Sequence, residues 1–330
     1  MIMNNINKTI SLESGAGGEK SSELIAQIRK NFAVNHKWKN TLDDGASYKI
    51  GSEKLVFTTD AFIVDPIFFP GGDIGKIAMC GTINDLSVMG AKPIGIALSL
   101  VIEEGFPAED LQKIMQSIGK VSKETGVPIV TGDTKVTEKG KIDKIEITTS
   151  GVGLAKEIIN NGGAQAGDVV IASGNLGEHS VVILAKRFNY TTKLKSDCQP
   201  LTREIQSVSK YLTACKDPTR GGAAAVLNEI AEKSKVKIVL EEDKLPFAKE
   251  TVALSELLGI DKFSFPSEGR FVATVSPKNA QKVIKILQKF NPEAKIIGSV
   301  KPGTGVHLKT RLGGTKIIDT PRGKLIPRIC

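Results

Sequence analysis

The chain lacks the two commonest nucleotide signatures. No Gly-Lys pair is followed by Ser or Thr, so there is no P-loop, and no GxGxxG stands between a strand and a helix. Any nucleotide must be held another way. Long hydrophobic runs are also missing. The longest mainly apolar stretch, Ile94 to Ile102, is about half of the ~18–20 residues that a membrane helix needs. The first 25 residues hold no apolar core of signal-peptide type, so a cytoplasmic protein without membrane attachment is expected. Aromatic residues are only 5%, too few for the stacking platforms of a nucleic-acid binder. The four cysteines, Cys80, Cys198, Cys215 and Cys330, contain no CxxC pair, which argues against zinc and against a disulfide framework. Positive charge is in excess by +9, but residues 309–330 hold six basic residues and one acid. That segment alone carries +5, leaving +4 for the other 308 residues. The chain reads as a nearly balanced body with a basic tail, and no nucleic-acid partner is expected.

What is present is glycine, 33 of 330 residues, and it clusters beside acidic residues. The length predicts two domains at ~150 residues each. Patterning alternates strands and helices. Strands are predicted at 55–59, 93–102, 127–130, 145–152 and 169–172, and near 236–240, 270–275 and 295–300. Apolar residues at helical spacing predict helices over 74–89 and 111–121, the second closed by Gly126. Further helices are expected at 177–187, 201–213, 221–233 and 279–290. The polar break Asn160–Gly163 is the natural domain boundary. The expectation is two α/β or α+β domains followed by a tail.

Acidic residues recur at places read as strand ends or turns: Asp43-Asp44-Gly45, Thr58-Thr59-Asp60, Thr82-Ile83-Asn84-Asp85, Gly132-Asp133-Thr134-Lys135 and Asp217-Pro218-Thr219-Arg220-Gly221-Gly222. Scattered carboxylates suit Mg²⁺, a hard ion that shares oxygen ligands with substrate phosphates. Each one alone also reads as a turn or helix cap. The loop Ser14-Gly15-Ala16-Gly17-Gly18 can offer backbone N–H groups to phosphates ahead of a helix. Lys135 follows Gly-Asp-Thr and can neutralise phosphate charge, or is simply a solvated lysine. Glu268 sits in a Ser-Glu-Gly turn before an apolar strand, where a surface glutamate is the plain alternative. Cys80 reads as core, and His179 as a surface or capping residue.

In combination these segments carry a resemblance. Phe69–Lys76, Gly81–Leu86, Ile102–Phe106, Val130–Val136, Asp217–Gly222 and the final Pro327-Arg328-Ile329-Cys330 are similar to the HypE family of hydrogenase maturation factors. The likeness runs from about residue 12 to the end. The final Pro-Arg-Ile-Cys together with Gly-Asp-Thr-Lys is its most specific part. The acidic segments alone would indicate only the wider superfamily of aminoimidazole ribonucleotide synthetase, selenophosphate synthetase and thiamine-monophosphate kinase. Ser267 departs from the family's usual Asn. Selenophosphate synthetases usually carry Cys or selenocysteine near the N-terminal glycine loop, and residues 1–79 hold no Cys. A non-catalytic carrier in hydrogenase assembly would keep Cys330 without turning over ATP.

The resemblance implies a mixed α+β, two-domain fold like that of aminoimidazole ribonucleotide synthetase. Residues 1–155 would form an ATP-binding, dimer-forming domain, residues 156–315 a second α/β domain, and residues 316–330 a mobile tail. It also implies an enzyme, a carbamoyl dehydratase. A carbamoyltransferase, HypF, places a carboxamide on Cys330, and ATP drives its dehydration to an S-cyanide. The cyano group then passes to iron on a HypC–HypD complex. By the same resemblance Asp44, Asp85 and Asp217 are the Mg²⁺ ligands. Asp60, Asp85, Gly17, Gly18, Gly132, Asp133 and Thr134 contact nucleotide, and Glu268 and Lys135 flank the S-carboxamide. From Asp319 to Cys330 is eleven steps, roughly 36–40 Å when extended. That is long enough to reach an internal site and to extend outward, with Pro321 and Pro327 stiffening the segment.

Overall fold

The structure is a computed structural model and describes residues 9–33, 35–322, 326 and 328–330. Lys324 and Pro327 of the tail lie outside the described residues. The N-terminal half contains β1 (Trp38–Lys39), β2 (Ala46–Ile50), β3 (Glu53–Phe62), a small hairpin of β4 (Phe68–Phe69) and β5 (Gly72–Asp73), β6 (Lys92–Glu103), β7 (Ile129–Thr137) and β8 (Ile145–Ala155). Its helices are α1 (Gly18–Arg29), α2 (Ile74–Val88) and α3 (Ala108–Thr125). The six-stranded sheet runs β1-β2-β3-β8-β6-β7, with only the β6–β7 and not the β6–β8 pairing parallel. Alternate residues of β8 are buried, the two-residue period of a sheet with one covered face.

Helix α2 provides that cover. Asp73 caps it by accepting the Lys76 N–H at 3.0 Å. Its residues Ile74, Ile77, Ala78, Met79, Ile83 and Leu86 are buried between the sheet and α3. Close approach is enforced by Gly75, where a Cβ would lie 2.6 Å from the Ile114 carbonyl oxygen. Helix α3 shows the apolar stripe Ile114, Ile118, Val121 and stops at Gly126 with φ 72°, as its spacing predicts.

The C-terminal half contains β9 (Val169–Ala172), α4 (Glu178–Arg187), α5 (Thr202–Val208), β10 (Leu212–Lys216), α6 (Gly222–Ser234), β11 (Lys237–Glu241), α7 (Lys249–Leu258), β12 (Val272–Val275), α8 (Pro277–Leu287), β13 (Lys295–Lys301), β14 (Gly305–Lys309) and β15 (Thr315–Ile317). Its seven-stranded sheet runs β10-β12-β9-β13-β11-β14-β15. Val170 and Ala172 of β9 pack into one core with α6, while Ile171 between them packs into another with α5 and α8. The sheet is therefore sandwiched between helices, which explains its almost continuously apolar central strands. No helix among the described residues is long and apolar enough to cross a membrane.

The fold departs from the sequence reading in several places. Gly132–Thr134 is not a turn: β7 continues straight through it to Thr137, paired with β6. Glycine is needed there because a Cβ on residue 132 would sit 2.4 Å from the Leu98 carbonyl oxygen. Asp60 lies inside β3 rather than at its end, and Asp85 lies on α2, within the helix expected over 74–89 and not at a strand end or turn. The helix expected over 201–213 ends at Val208, because residues 212–216 are taken by pairing with β12. Strands β1, β2, β4, β5, β10, β14 and β15 and helix α7 were not foreseen.

The last residues pack inside. Ile326 and Ile329 belong to the core that also holds residues of α2 and α4. The Ile63 N–H donates to the Cys330 carbonyl at 3.3 Å, and the Asp65 N–H to the Arg328 carbonyl at 3.1 Å. These two bonds tie the tail backbone to the segment after β3.

Candidate active site

Three distant acids converge between the halves. Asp44 precedes β2, Asp85 is on α2 and Asp217 follows β10. One carboxylate oxygen from each lies within 4.8 Å of the others. Desolvation, then Asp60, Asp217 and Asp44, push the Asp85 carboxyl well above its ordinary value. Desolvation and Asp44 push Asp217 up to about 8. The Thr58 hydroxyl bridges the Asp44 carbonyl at 2.8 Å and the Asp85 carboxylate at 2.9 Å. Lys216 Nζ pairs with Asp44 Oδ1 and lies 3.4 Å from Glu229. Burial works against its charge, but Asp44 and Glu229 outweigh that and raise it. The second oxygen of Asp44 is buried without a hydrogen-bond partner among the described residues. Three repelling carboxylates with an orphaned oxygen form a donor set that fits a hard divalent cation such as Mg²⁺.

A second cluster surrounds the tail's thiol. Glu268 is buried and interacts with Cys330, and its Oε1 has no hydrogen-bond partner among the described residues. Burial, then Cys198, Asp217 and Asp197, hold its carboxyl well above the usual range. Burial and then Glu268 raise the Cys330 thiol in turn, while Arg220 opposes the rise. Arg220 interacts with Cys330, Asp60, Asp85 and Glu268, and so joins the two clusters. Asp60 accepts from the Thr82 hydroxyl at 3.3 Å, and burial raises its carboxyl.

The turn that carries Glu268 is tied from several directions. The Glu268 N–H donates to Asp197 Oδ1 at 2.8 Å. Its carbonyl accepts from Asn84 Nδ2 at 3.1 Å. The Ser267 N–H reaches the Pro218 carbonyl at 2.8 Å, and Ser267 Oγ accepts the Gly177 N–H at 2.7 Å. The same backbone thus links the Glu268 turn to the loop that carries Asp217.

Gly17 and Gly18 come to the edge of this site. A Cβ on Gly17 would meet Arg220 at 2.9 Å, so the glycine loop lies directly against the guanidinium-bearing residue. Its φ of 93° is a second reason for glycine. Gly132, Asp133, Thr134 and Lys135 are placed differently. They are exposed on β7, the edge strand, with Lys135 Nζ 3.2 Å from Asp133. Three strand steps separate β7 from the Asp60 strand β3, roughly 14 Å at sheet spacing. Asn84, Asp197 and Arg220 were missed as site residues. Arg220 alone had a signal, as the cation inside the Asp217–Gly222 segment.

Residues 42–155 match the AIR synthase related protein N-terminal domain family, and residues 165–310 its C-terminal domain family. The carbamoyl dehydratase HypE of Rhizobium leguminosarum bv. viciae is 39% identical over 336 residues, covering 98% of this chain and 96% of the relative. A HypE chain in the crystal structure of a HypE–HypF complex superposes with a TM-score of 0.84 at 38% identity, covering 90% of this chain and 99% of that one. The crystal structure of a hydrogenase maturation protein HypE in complex with ATP gives 0.82 at 34% identity, covering 98% and 100%. With both domains matched and similarity running the length of the chain, the protein belongs to the AIR synthase related family and, within it, to the HypE carbamoyl dehydratases of hydrogenase maturation.

Proposed function

We propose that this chain uses ATP to dehydrate an S-carboxamide on Cys330 to an S-cyanide. The observation that carries the reading is the contact between Cys330 and Glu268, beside Arg220 and the three-acid cluster. The chemistry is R–S–C(=O)NH₂ + ATP → R–S–C≡N + ADP + phosphate. The γ-phosphoryl group goes to the amide oxygen, turning a poor leaving group into phosphate. Both N–H protons leave the nitrogen as the C–O bond breaks. Glu268 is suited to take a proton, because its surroundings favour the neutral acid. Arg220 and Lys135 would balance charge on the phosphorylated oxygen. Asp44, Asp85 and Asp217 would hold Mg²⁺, which when bound screens the phosphate charge. Asp60, Asp85, Gly17, Gly18 and Gly132–Thr134 would contact the nucleotide.

The tail implies partners. Cys330 is half-buried here, packed against the core, and a carboxamide must be placed on it by another enzyme. HypF, present with HypE in the related complex, fits that task, with residues 316–330 moving outward to meet it. A HypC–HypD complex would accept the cyano group, all in the cytoplasm. The exposed edge strand β7, with Val130 62% and Val136 69% exposed, supports a homodimer that covers this edge.

Intact mass tests the reading. Carbamoylated protein given Mg-ATP should lose about 18 Da, one water, from the thiol adduct. Cys330→Ala should abolish the change, while Cys80→Ser, Cys198→Ser and Cys215→Ser should keep it. Release of phosphate without that mass loss would defeat the proposal, as would a cyano group on another cysteine.

A further inference from the structure

His179 is fully buried on α4, and both ring nitrogens are engaged. Nε2 lies 2.7 Å from the carbonyl oxygen of Ile329. A carbonyl only accepts, so Nε2 carries the proton. Nδ1 lies 2.8 Å from Ser196 Oγ. That oxygen already accepts the Cys198 N–H at 3.1 Å, which leaves its hydroxyl proton for Nδ1. Burial lowers the affinity of the imidazole for a second proton, against Asp197 and the Ile329 carbonyl. The neutral ring is the state this pattern requires. Phe69 packs edge-on at 5.4 Å between centroids and fixes the ring plane.

The position of this bond in the tail matters. The Arg328 and Cys330 carbonyls face the segment after β3 and bond Asp65 and Ile63. Arg328 turns with φ 51°, and the Ile329 carbonyl is met from a different element, α4. There His179 is its partner. Two turns along α4, Arg187 donates to the Arg328 carbonyl at 2.9 Å. The helix thus holds the tail backbone by hydrogen bonds, beside the core it shares with the Ile326 and Ile329 side chains.

We propose that His179 is the positioning residue that latches the tail inward, its Nε2–H on the Ile329 carbonyl setting the Cys330 sulfur against Glu268. The inference rests on the reading of Cys330 as an acceptor that must also visit a partner enzyme. The tail must be inside for dehydration and outside for carbamoylation. A latch that favours the inner state alone must promote one reaction and restrain the other.

The test uses the full chain, with neither ATP nor partner present. The probe is iodoacetamide, and the rate of Cys330 alkylation is read from the mass of the C-terminal peptide. His179→Phe fills the space without a donor, and His179→Gln puts an amide N–H near the place of Nε2. The loss of one buried hydrogen bond should speed alkylation about tenfold in His179→Phe, with His179→Gln within about twofold of wild type. With HypF and its carbamoyl donor, His179→Phe should accept the carboxamide at least as fast as wild type. Its single-turnover dehydration should fall about tenfold. A merely structural defect would slow both. Wild-type alkylation in His179→Phe, a Gln variant no better than Phe, or a joint fall in both reactions would overturn the latch. If His179→Phe does not fold cooperatively, Ser196→Ala removes the Nδ1 partner instead. It should speed alkylation about two- to threefold, and an unchanged rate overturns the proposal. Alkylation needs neither ATP nor carboxamide. Its failure therefore removes the latch alone, and a failure of wild-type mass loss removes the dehydration reading alone.

Discussion

Asn84 and Glu268 meet across the two halves of the molecule: Asn84 Nδ2, on α2, donates to the Glu268 carbonyl at 3.1 Å. The same nitrogen lies 3.1 Å from the Gln199 carbonyl, and Asn84 Oδ1 accepts the Leu201 N–H at 2.7 Å. One amide thus joins the helix that carries Asp85 to the turn that carries the proposed base. Its two donors and one acceptor are all used within an enclosed site.

Removal of that amide should cost stability and rate together. Asn84→Ala strands the buried Leu201 N–H and two carbonyls. Unfolding free energy should fall by about 1–3 kcal/mol. Single-turnover dehydration should fall as well, because the Glu268 backbone loses an anchor. Urea unfolding measures the first effect and quench-flow mass analysis the second. A variant as stable as wild type would show that the bridge carries no net energy.

The three-acid cluster makes a prediction of opposite sign. Without metal, Asp85 faces Asp44, Asp60 and Asp217 in a desolvated place. Asp85→Asn removes one like charge and keeps an acceptor for the Thr58 hydroxyl. In EDTA this variant should melt at a higher temperature than wild type. Wild type alone should then gain strongly from Mg²⁺, by roughly 3 kcal/mol at a hundredfold excess over Kd. Equal Mg²⁺ shifts in the two proteins would defeat the metal assignment.

Much of this was legible in the sequence, because local rules and tertiary structure agree where packing is ordinary. The α3 stripe and its Gly126 stop, and the strands at 93–102 and 169–172, follow from periodicity and capping alone. The acidic residues were recognisable as a set, since Asp44, Asp85 and Asp217 do converge. What failed is instructive about local chemistry. Gly132 reads as a turn in isolation, yet it is a glycine because β6 passes too close for a Cβ. Thr58–Asp60 reads as a strand end, and the acid of Thr82–Asp85 as a turn or cap although helical spacing spans it, because polar residues cluster there. They are the inward polar faces of a strand and a helix that line the site. His179 reads as a helix cap, since nothing nearby in sequence shows that a tail 150 residues later will cover it. Asn84 and Asp197 act on backbone brought from elsewhere, and such partners leave no local trace.

Glu204 sets an expected pH dependence of stability. It is buried on α5, where burial raises its carboxyl from 4.5 to about 7, opposed by Arg270. Gln199 Nε2 donates to it at 3.0 Å. The folded state holds this proton more tightly than the unfolded chain. The benefit is therefore full below pH 4.5 and lost as pH rises from there to about 7. The difference of 2.5 units corresponds to roughly 3 kcal/mol at most. Glu204→Gln keeps an uncharged carbonyl oxygen and should remove this loss. At pH 8 the variant should be the more stable protein, and at pH 4.5 the two should be nearly equal. Parallel stability curves across that range would show that Glu204 is not buried as a neutral acid.

Lys135 makes the last prediction, because of where it is not. It sits on the exposed edge strand β7, paired only to Asp133 among the described residues, while Glu268 and Cys330 lie in the interdomain cluster. In the proposed dimer that covers β7, Lys135 would be carried toward the site of the second copy. Each single variant, Lys135→Ala or Glu268→Gln, should dehydrate the carboxamide slowly, with Glu268→Gln down by ~10²–10⁴-fold. Mixing the two after unfolding and refolding gives a decisive readout. If Lys135 serves the partner copy, each mixed dimer has one site with neither defect and one with both. Half of the random dimers are mixed, so about a quarter of the wild-type rate should return. If Lys135 serves its own site, every site in the mixture carries one defect and nothing returns. A Val136→Asp variant, which puts a charge on the β7 edge, should be monomeric in sedimentation and should lose the Lys135-dependent part of the rate. A mixture that stays inactive while Val136→Asp remains dimeric would remove both the β7 interface and the cross-subunit role of Lys135.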